Sequence, residues 1–149
     1  MLWETRSSRS VMEWLRNAAP DVVLLQEIKC QDEGFPRQEF ESLGYHLAIS
    51  GQKTYNGVAV LSRHAVIEER RGLPGDPERG EARYIEAVLE NGVRVISVYV
   101  PMGQSVESDR FPFKLEVLDG LAVRARQLLA AETPFVMAGD YNVCPEPID

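Results

Sequence analysis

The sequence is poor in cysteine and histidine, and this excludes several kinds of site. Its two cysteines, Cys30 and Cys144, are too few for a disulfide framework and too isolated for a structural zinc site, so we expect free thiols. Only two histidines are present, His46 and His64, which disfavours a zinc hydrolase or a histidine-based metallophosphatase. The sequence also lacks a Gly-x-Ser-x-Gly elbow, so nothing supports a Ser-His-Asp hydrolase.

Long apolar runs are absent as well. No run approaches the ~20 residues that cross a bilayer, and the N-terminus lacks the apolar core of a secretory signal, so we expect a cytoplasmic protein with no membrane partner. The 16 Lys and Arg against 23 Asp and Glu give a net charge of −7, which argues against a general polyanion-coating protein but leaves room for a local basic strip. With 149 residues, 44% of them hydrophobic, one domain with a core is expected.

Hydrophobic periodicity and turn residues divide the chain into helices and strands. Amphipathic helices are predicted over residues 8–19, 37–43 and 111–131. Strands are predicted over residues 22–26, 45–50, 55–62, 84–90, 93–100 and 135–139, with a two-residue turn at Asn91-Gly92. Residues 70–83 are rich in glycine, proline and charge, and are predicted to form an exposed loop. The pattern favours an α+β or layered α/β domain whose mixed sheet is covered by helices.

Two apolar runs each end on a carboxylate. The run Val22–Gln26, which lacks alternation and should be buried on both faces, leads to Glu27; residues 135–139 lead to Asp140 and then Asn142. If the extended conformation continues, Asp140 and Asn142 lie on the same side. Ligands bind beyond the carboxyl ends of such strands, and two carboxylates with an amide suit Mg²⁺. The alternative is that each acid is a solvated strand end or helix cap.

Two further features have competing interpretations. Tyr99 ends a predicted strand, where its hydroxyl can reach a site at the sheet rim, although strand aromatics are more often packing residues. A set of arginines could form a phosphate-tracking surface, or simply a solvated loop. These arginines are Arg63, Arg70, Arg71, Arg79 and Arg83.

Four motifs stand out along the chain: Val-Leu-Leu-Gln-Glu-Ile-Lys-Cys-Gln-Asp at residues 23–32, Tyr-Asn-Gly-Val-Ala-Val-Leu-Ser at 55–62, Val-Tyr-Val-Pro at 98–101 and Gly-Asp-Tyr-Asn-Val at 139–143. In order and spacing they resemble the exodeoxyribonuclease III family of the endonuclease/exonuclease/phosphatase superfamily. The resemblance extends from about residue 8 to residue 149. It implies a partial four-layer sandwich of the DNase I-like fold, with a mixed sheet flanked by helices.

Matched residue by residue, the resemblance implies a metal site and a reaction. Glu27, Asp140 and Asn142 would bind Mg²⁺, or Mn²⁺ in its place. Asp140 would orient and deprotonate the attacking water, while Tyr99 and Asn142 would donate hydrogen bonds to the phosphate. The implied activity is a DNA-repair nuclease that cleaves phosphodiesters at abasic sites and acts as a 3′-5′ exonuclease. The implied partner is double-stranded DNA with abasic or 3′-blocked sites, with no obligate protein partner.

The sequence also departs from the family pattern. Residues 1–8 lack the family's Asn before the first helix, Met102 replaces an Asn after Tyr-x-Pro, and nothing matches the family's second half with its Asp-His pair. We therefore expect residues 1–149 to be an incomplete domain, truncated at both ends, whose exposed apolar sheet face favours self-association. The alternatives are a catalytically inactive fragment, or a phosphoesterase of another branch of the superfamily, such as a phosphoinositide phosphatase.

Overall fold

A computed structural model describes residues 6–75, 77, 79–144 and 146, so most of the divergent segment 1–8 lies outside the described residues. In this part of the chain, no helix is both long and apolar enough to cross a membrane. The elements are α1 (Arg6–Ala18), β1 (Val22–Gln26), a 3-10 turn (Asp32–Gly34), α2 (Arg37–Glu41), β2 (His46–Ser50), β3 (Val58–Ser62), β4 (Val66–Arg71), β5 (Tyr84–Leu89), β6 (Arg94–Tyr99), α3 (Arg110–Ala130) and β7 (Phe135–Asp140).

The strands form two sheets. The first has the order β1-β3-β2 and is antiparallel throughout, while the second has the order β4-β5-β6-β7 and is mixed, because β7 runs parallel to β6. Every predicted helix and strand is present. The prediction missed β4, whose sequence Val-Ile-Glu-Glu-Arg-Arg is mostly charged because it is an exposed edge strand.

Three apolar clusters separate four layers. Met12, Leu15 and Phe40 from α1 and α2 pack on the outer face of the first sheet. Phe113, Val117 and Leu121 from α3 pack on the outer face of the second sheet. The central cluster joins the two sheets and contains Ala48, Val58, Val60, Ile85, Ala87, Leu89 and Val95. The four-layer arrangement expected from the family resemblance is therefore confirmed.

The expected exposed sheet face is wrong over most of the molecule, because the two sheets cover each other. Val58 and Ile85, on facing strands, are both fully buried. Exposed apolar side chains remain at the sheet edges: Ile67 on β4 is 66% exposed, and Val136 is 52% exposed at the lateral edge where β1 and β7 end their sheets. The same edge position explains why β1 is only partly buried, contrary to the prediction of burial on both faces.

The two edge strands of the mixed sheet differ in charge. β4 presents the exposed residues Glu68, Glu69, Arg70 and Arg71. β7 has no charged residue before Asp140. Charges on an edge strand discourage pairing with another chain, whereas an apolar edge permits it. The β7 edge is therefore the one suited to association between chains.

We expect the chain to self-associate through β7. Val136→Lys should place a charge on this edge and convert the associated protein to monomer in sedimentation velocity. The matched control is Ile67→Lys on β4, where Ile67 is 66% exposed, and it should leave association unchanged. A wild-type chain that sediments as a monomer at all concentrations would contradict this expectation.

Two connections differ from their predictions. Of Asn91 and Gly92 only Gly92 has a positive φ, at 82°, and the Leu89 amide donates to the Val93 carbonyl at 2.9 Å, so the turn takes in residues 90–92 rather than two residues.

Within residues 70–83, Leu73 and Arg83 are buried, at 4% and 6% exposure. The segment is therefore not an exposed loop throughout, and Arg83 lies beneath the candidate site.

Candidate active site

The carboxyl ends of β1, β6 and β7 meet at one end of the sandwich. The Gln26 side-chain amide donates to the Ser97 hydroxyl at 3.0 Å, and the Ser97 hydroxyl donates to the Leu25 carbonyl at 3.1 Å, which joins the ends of β1 and β6 across the two sheets. Tyr99 on β6 pairs with Asp140 on the parallel strand β7. Glu27, immediately after β1, contacts Tyr99, and Tyr99 therefore lies next to both Glu27 and Asp140.

The main chain holds Glu27 in an uncommon conformation. Its φ is +54°, and Lys29 has a φ of +51°. Between them Ile28 is buried, and the amides of Ile28 and Lys29 donate to the carbonyls of Gly57 and Asn56 at 3.2 and 2.9 Å. Left-handed conformations of non-glycine residues cost energy and are concentrated at functional sites. The buried Ile28 is the anchor that turns the Glu27 carboxylate outward.

The Glu27 carboxylate is ionised and already attracts a cation. Lys29 Nζ lies 2.6 Å from Glu27 Oε2, and both side chains are partly exposed. The hydrogen bond from Lys29 lowers the pKa of Glu27, and a hydrogen bond from the Tyr99 hydroxyl and the charge of Arg83 act in the same direction against partial burial. Lys29 was not predicted as a site residue. Its position two residues after a candidate carboxylate is a feature of the sequence that could have indicated the ion pair.

Tyr99 combines both interpretations that the sequence left open. Its ring packs against the core between the sheets, while its hydroxyl donates to Glu27. Burial raises the pKa of Tyr99, and the negative charges of Glu27 and Asp140 raise it further. The phenol therefore stays protonated and remains a hydrogen-bond donor at neutral pH.

A turn, rather than strand alternation, brings Asp140 and Asn142 together. The Asn142 amide donates to Asp140 Oδ1 at 2.8 Å, and Asn142 has a φ of +48°, so the extended conformation predicted beyond Asp140 does not continue. Asn142 Nδ2 donates to the Val100 carbonyl at 2.8 Å, and Lys114 Nζ donates to the Asn142 carbonyl. These contacts from β6 and α3 explain why the strand pattern stops at Asp140.

Gly139, the residue before Asp140, permits a very close approach of β7 to β6. A Cβ at this position would lie 2.0 Å from the Val98 carbonyl oxygen, far inside van der Waals contact, and the φ of Gly139 is +150°. Only glycine fits such a position without moving the backbone. The Asp140 main chain continues this pairing, because its carbonyl accepts from the Val100 amide at 2.8 Å.

The five arginines proposed for phosphate tracking do not form a free cationic surface. Acidic side chains bind three of them, in the pairs Arg71 with Asp32 at 2.6 Å, Arg79 with Glu116 at 2.6 Å and Arg83 with Glu81 at 2.5 Å. Arg63 lies over the Tyr45 ring. The sequence could not show the pairs of Arg71 and Arg79, because each joins residues far apart in the chain.

The site supplies oxygen ligands of the kind that Mg²⁺ prefers. Within the described residues, no group of three His, Cys, Asp or Glu side chains is close enough to enclose a metal ion. Glu27, Asp140 and Asn142 instead supply two carboxylates and an amide oxygen. Mg²⁺ usually takes one or two protein carboxylates and keeps several waters, so this donor set fits it. Cys30 and Cys144 are not joined in a disulfide.

Comparison with known proteins gives a consistent family. The chain matches the Endonuclease/Exonuclease/phosphatase family over residues 1–149. It is 38% identical over 134 residues to exodeoxyribonuclease III of Haemophilus influenzae, covering 87% of this chain and 50% of that relative. It is 26% identical over 155 residues to an exodeoxyribonuclease of Bacillus subtilis, covering 99% and 59%. The chain thus spans between half and three fifths of the length of these relatives.

Solved structures agree. An AP endonuclease from Archaeoglobus fulgidus superposes with a TM-score of 0.86 and 36% identity, covering 95% of this chain and 54% of that one. The 3′ phosphatase NExo from Neisseria, bound to a product DNA hairpin, superposes with a TM-score of 0.89 and 34% identity, covering 99% and 56%. Both neighbours share the fold of the described residues.

Proposed function

This chain belongs to the Endonuclease/Exonuclease/phosphatase family, and we propose that it carries part of the active site of a divalent-metal nuclease. This nuclease would hydrolyse DNA phosphodiesters at abasic sites and degrade DNA from 3′ ends. The observation that carries this proposal is the meeting of Glu27, Tyr99 and Asp140 at one end of the sandwich. We further propose that residues 1–149 form one portion of the family's domain. The roughly half-length coverage of the relatives supports this.

Glu27, with Asp140 and Asn142, would hold Mg²⁺, or Mn²⁺ in its place. Glu27 is suited to this role because its carboxylate is partly exposed and its pKa is lowered by the adjacent ammonium of Lys29. A bound metal would neutralise charge on the scissile phosphate and on the leaving oxygen. Lys29 would have to give up its contact with Glu27 for the carboxylate to become a ligand.

The remaining roles follow from hydrogen-bonding capacity. Asp140 would accept a proton from the attacking water, as a positioned general base does. Tyr99, held protonated by its raised pKa, would donate to a phosphate oxygen. Asn142 Nδ2 uses one donor on the Val100 carbonyl, which leaves its second N–H for the phosphate.

The proposed substrate is double-stranded DNA with an abasic or 3′-blocked site. Support comes from the relatives, since one neighbour is an AP endonuclease and another is a 3′ phosphatase bound to product DNA. Three of the arginines considered for phosphate contact, Arg71, Arg79 and Arg83, are already paired with acids, so they would have to exchange these partners to bind DNA.

The test is Mg²⁺-dependent incision of a duplex containing one abasic site. Wild type should incise this duplex at the abasic site, make no internal cut in the same duplex with an intact base, and lose activity in EDTA. Glu27→Gln, purified in parallel, is the control for contaminating nucleases and should lack the Mg²⁺ stimulation. Equal cleavage by the two proteins would reject the enzyme proposal for this chain and favour an inactive fragment. Preferential hydrolysis of soluble phosphoesters would favour another branch of the superfamily.

A further inference from the structure

Arg83 lies directly behind Tyr99 and makes three contacts with it. The guanidinium carbon is 4.8 Å from the centre of the Tyr99 ring. Arg83 Nη1 donates to the Tyr99 carbonyl at 3.2 Å, and the Tyr99 amide donates to the Arg83 carbonyl at 2.8 Å. The guanidinium thus contacts both the ring and the carbonyl of a single tyrosine, a double contact for which its planar, many-donor shape is better suited than the compact ammonium of a lysine.

Glu81 holds the Arg83 guanidinium in this position. Arg83 Nε donates to Glu81 Oε2 at 2.5 Å, and Arg110 Nη1 at the start of α3 donates to Glu81 Oε1 at 3.0 Å. Burial opposes the ionisation of Glu81, but the hydrogen bonds from Arg110 and Arg83 outweigh it and lower the pKa. The carboxylate therefore stays charged between two guanidinium groups and ties Arg83 to α3.

Burial removes the simplest other role for Arg83, which is direct contact with a DNA phosphate. Its side chain is only 6% exposed, and its donors point to Glu81 and to the Tyr99 carbonyl. Tyr99, in contrast, carries the hydroxyl that donates to Glu27. The contacts of Arg83 therefore lead toward the site through Tyr99 rather than toward solvent.

We propose that Arg83 is a positioning residue, which fixes the ring of Tyr99 and, through the Tyr99 hydroxyl, the carboxylate of Glu27. Its effect on Glu27 rests on the proposed function, because it assumes that Glu27 binds a divalent cation. Its effect on the Tyr99 ring does not. Groups that orient a metal-binding residue commonly change metal affinity when they are removed.

Two readouts test these two parts separately. In protein labelled with 3-fluorotyrosine, the signal of Tyr99 among the five tyrosines is identified by its loss in Tyr99→Phe. Arg83→Gln should shift that signal and weaken Mn²⁺ binding, measured by electron paramagnetic resonance, by roughly tenfold. If Arg83 acts through Tyr99, Arg83→Gln should add little to the loss of Mn²⁺ affinity already caused by Tyr99→Phe.

Arg63→Gln is the matched control, because it also removes an arginine that lies over a tyrosine ring. The Arg63 guanidinium is 5.5 Å from the centre of the Tyr45 ring, and Tyr45 lies outside the site. This variant should shift the Tyr45 signal, leave the Tyr99 signal in place and preserve Mn²⁺ affinity. If Arg83→Gln unfolds the chain, Arg83→Lys replaces it in the test. Lysine keeps the positive charge but lacks the planar guanidinium and its paired N–H donors, so the Tyr99 signal should still shift.

An unmoved Tyr99 signal in folded Arg83→Gln or Arg83→Lys would overturn the proposal, and so would a full additional loss of Mn²⁺ affinity on top of Tyr99→Phe. If wild type binds no Mn²⁺ while the Tyr99 signal still shifts in Arg83→Gln, the proposed metal site fails and the positioning of Tyr99 by Arg83 stands.

Discussion

Replacing Glu86 with alanine should lower the free energy of unfolding by about 3–5 kcal/mol. The Glu86 carboxylate is fully buried and accepts hydrogen bonds from the Tyr84 hydroxyl at 2.5 Å, Arg94 Nη1 at 2.6 Å, Arg124 Nε at 2.7 Å and Arg124 Nη2 at 2.9 Å. Its loss would leave two nearly buried guanidinium groups and a phenol without their acceptor. The contacts also attach α3 to β5, so we expect the change in equilibrium urea unfolding of the whole domain.

Glu116→Ala is the control for this measurement. Glu116 also lies on α3 and also pairs with an arginine, Arg79 at 2.6 Å, but both side chains are about half exposed or more, at 49% and 61%. Exposed pairs of this kind are worth about 0–1 kcal/mol. Similar midpoints for Glu86→Ala and Glu116→Ala would show that the buried cluster does not hold the helix to the sheet.

The same cluster predicts how stability depends on acid. Burial opposes the ionisation of Glu86, but hydrogen bonds from Arg124, Tyr84 and Arg94 outweigh it and keep the pKa below its usual value of 4.5. A folded pKa below the unfolded pKa contributes stability that is present above the unfolded value and is lost as the pH falls through the folded value. Below pH 4.5, wild type should therefore lose stability more steeply than Glu86→Ala.

Replacing Asp140 with alanine should reduce Mg²⁺-dependent cleavage of abasic DNA by about 10²–10⁴-fold, the usual contribution of a general base. The fold should survive, because the Asp140 side chain is exposed and its strand pairing uses the main-chain carbonyl. Cleavage of the abasic duplex by wild type and variant, each with and without EDTA, measures the effect.

Asp140→Asn separates the base from the turn. An asparagine oxygen can still accept the hydrogen bond that the Asn142 amide makes to Asp140 Oδ1 at 2.8 Å, but it cannot take a proton from water. A loss of activity in Asp140→Asn comparable to that in Asp140→Ala would place the effect on proton transfer. Near-normal activity in Asp140→Asn would show instead that Asp140 acts by holding Asn142.

The elements that could be predicted from sequence are those whose pattern is local. Apolar residues recur every three or four positions along α3 and follow one another without a break in most of β1. Both patterns identify their elements without knowledge of the neighbouring elements. β4 escaped prediction because an edge strand can be charged on most positions. For the same local reason Glu27 and Asp140 were recognised as candidates, since each follows directly on an apolar strand.

The rest of the site depends on contacts between distant segments. The composition of residues 70–83 gives no sign that Arg83 is buried. Its burial depends on Tyr99 on β6, which it contacts, and on Glu81, which Arg110 on α3 holds in place. The turn at Asn142 depends in the same way on Val100 and Lys114. Such positions have no signature in a single sequence, because the residues that determine them lie on other elements.

The close approach at Gly139 has a consequence for how natural variation in this segment is read. A side chain at Gly139 would strike the Val98 carbonyl, so selection on folding alone restricts that position. Asp140 is exposed and should tolerate many residues as far as folding is concerned, so only selection on its chemistry restricts it. If both positions were invariant among relatives, selection for folding would explain Gly139 and selection for catalysis would explain Asp140. A lineage that had lost the reaction should therefore vary at Asp140 first and keep Gly139.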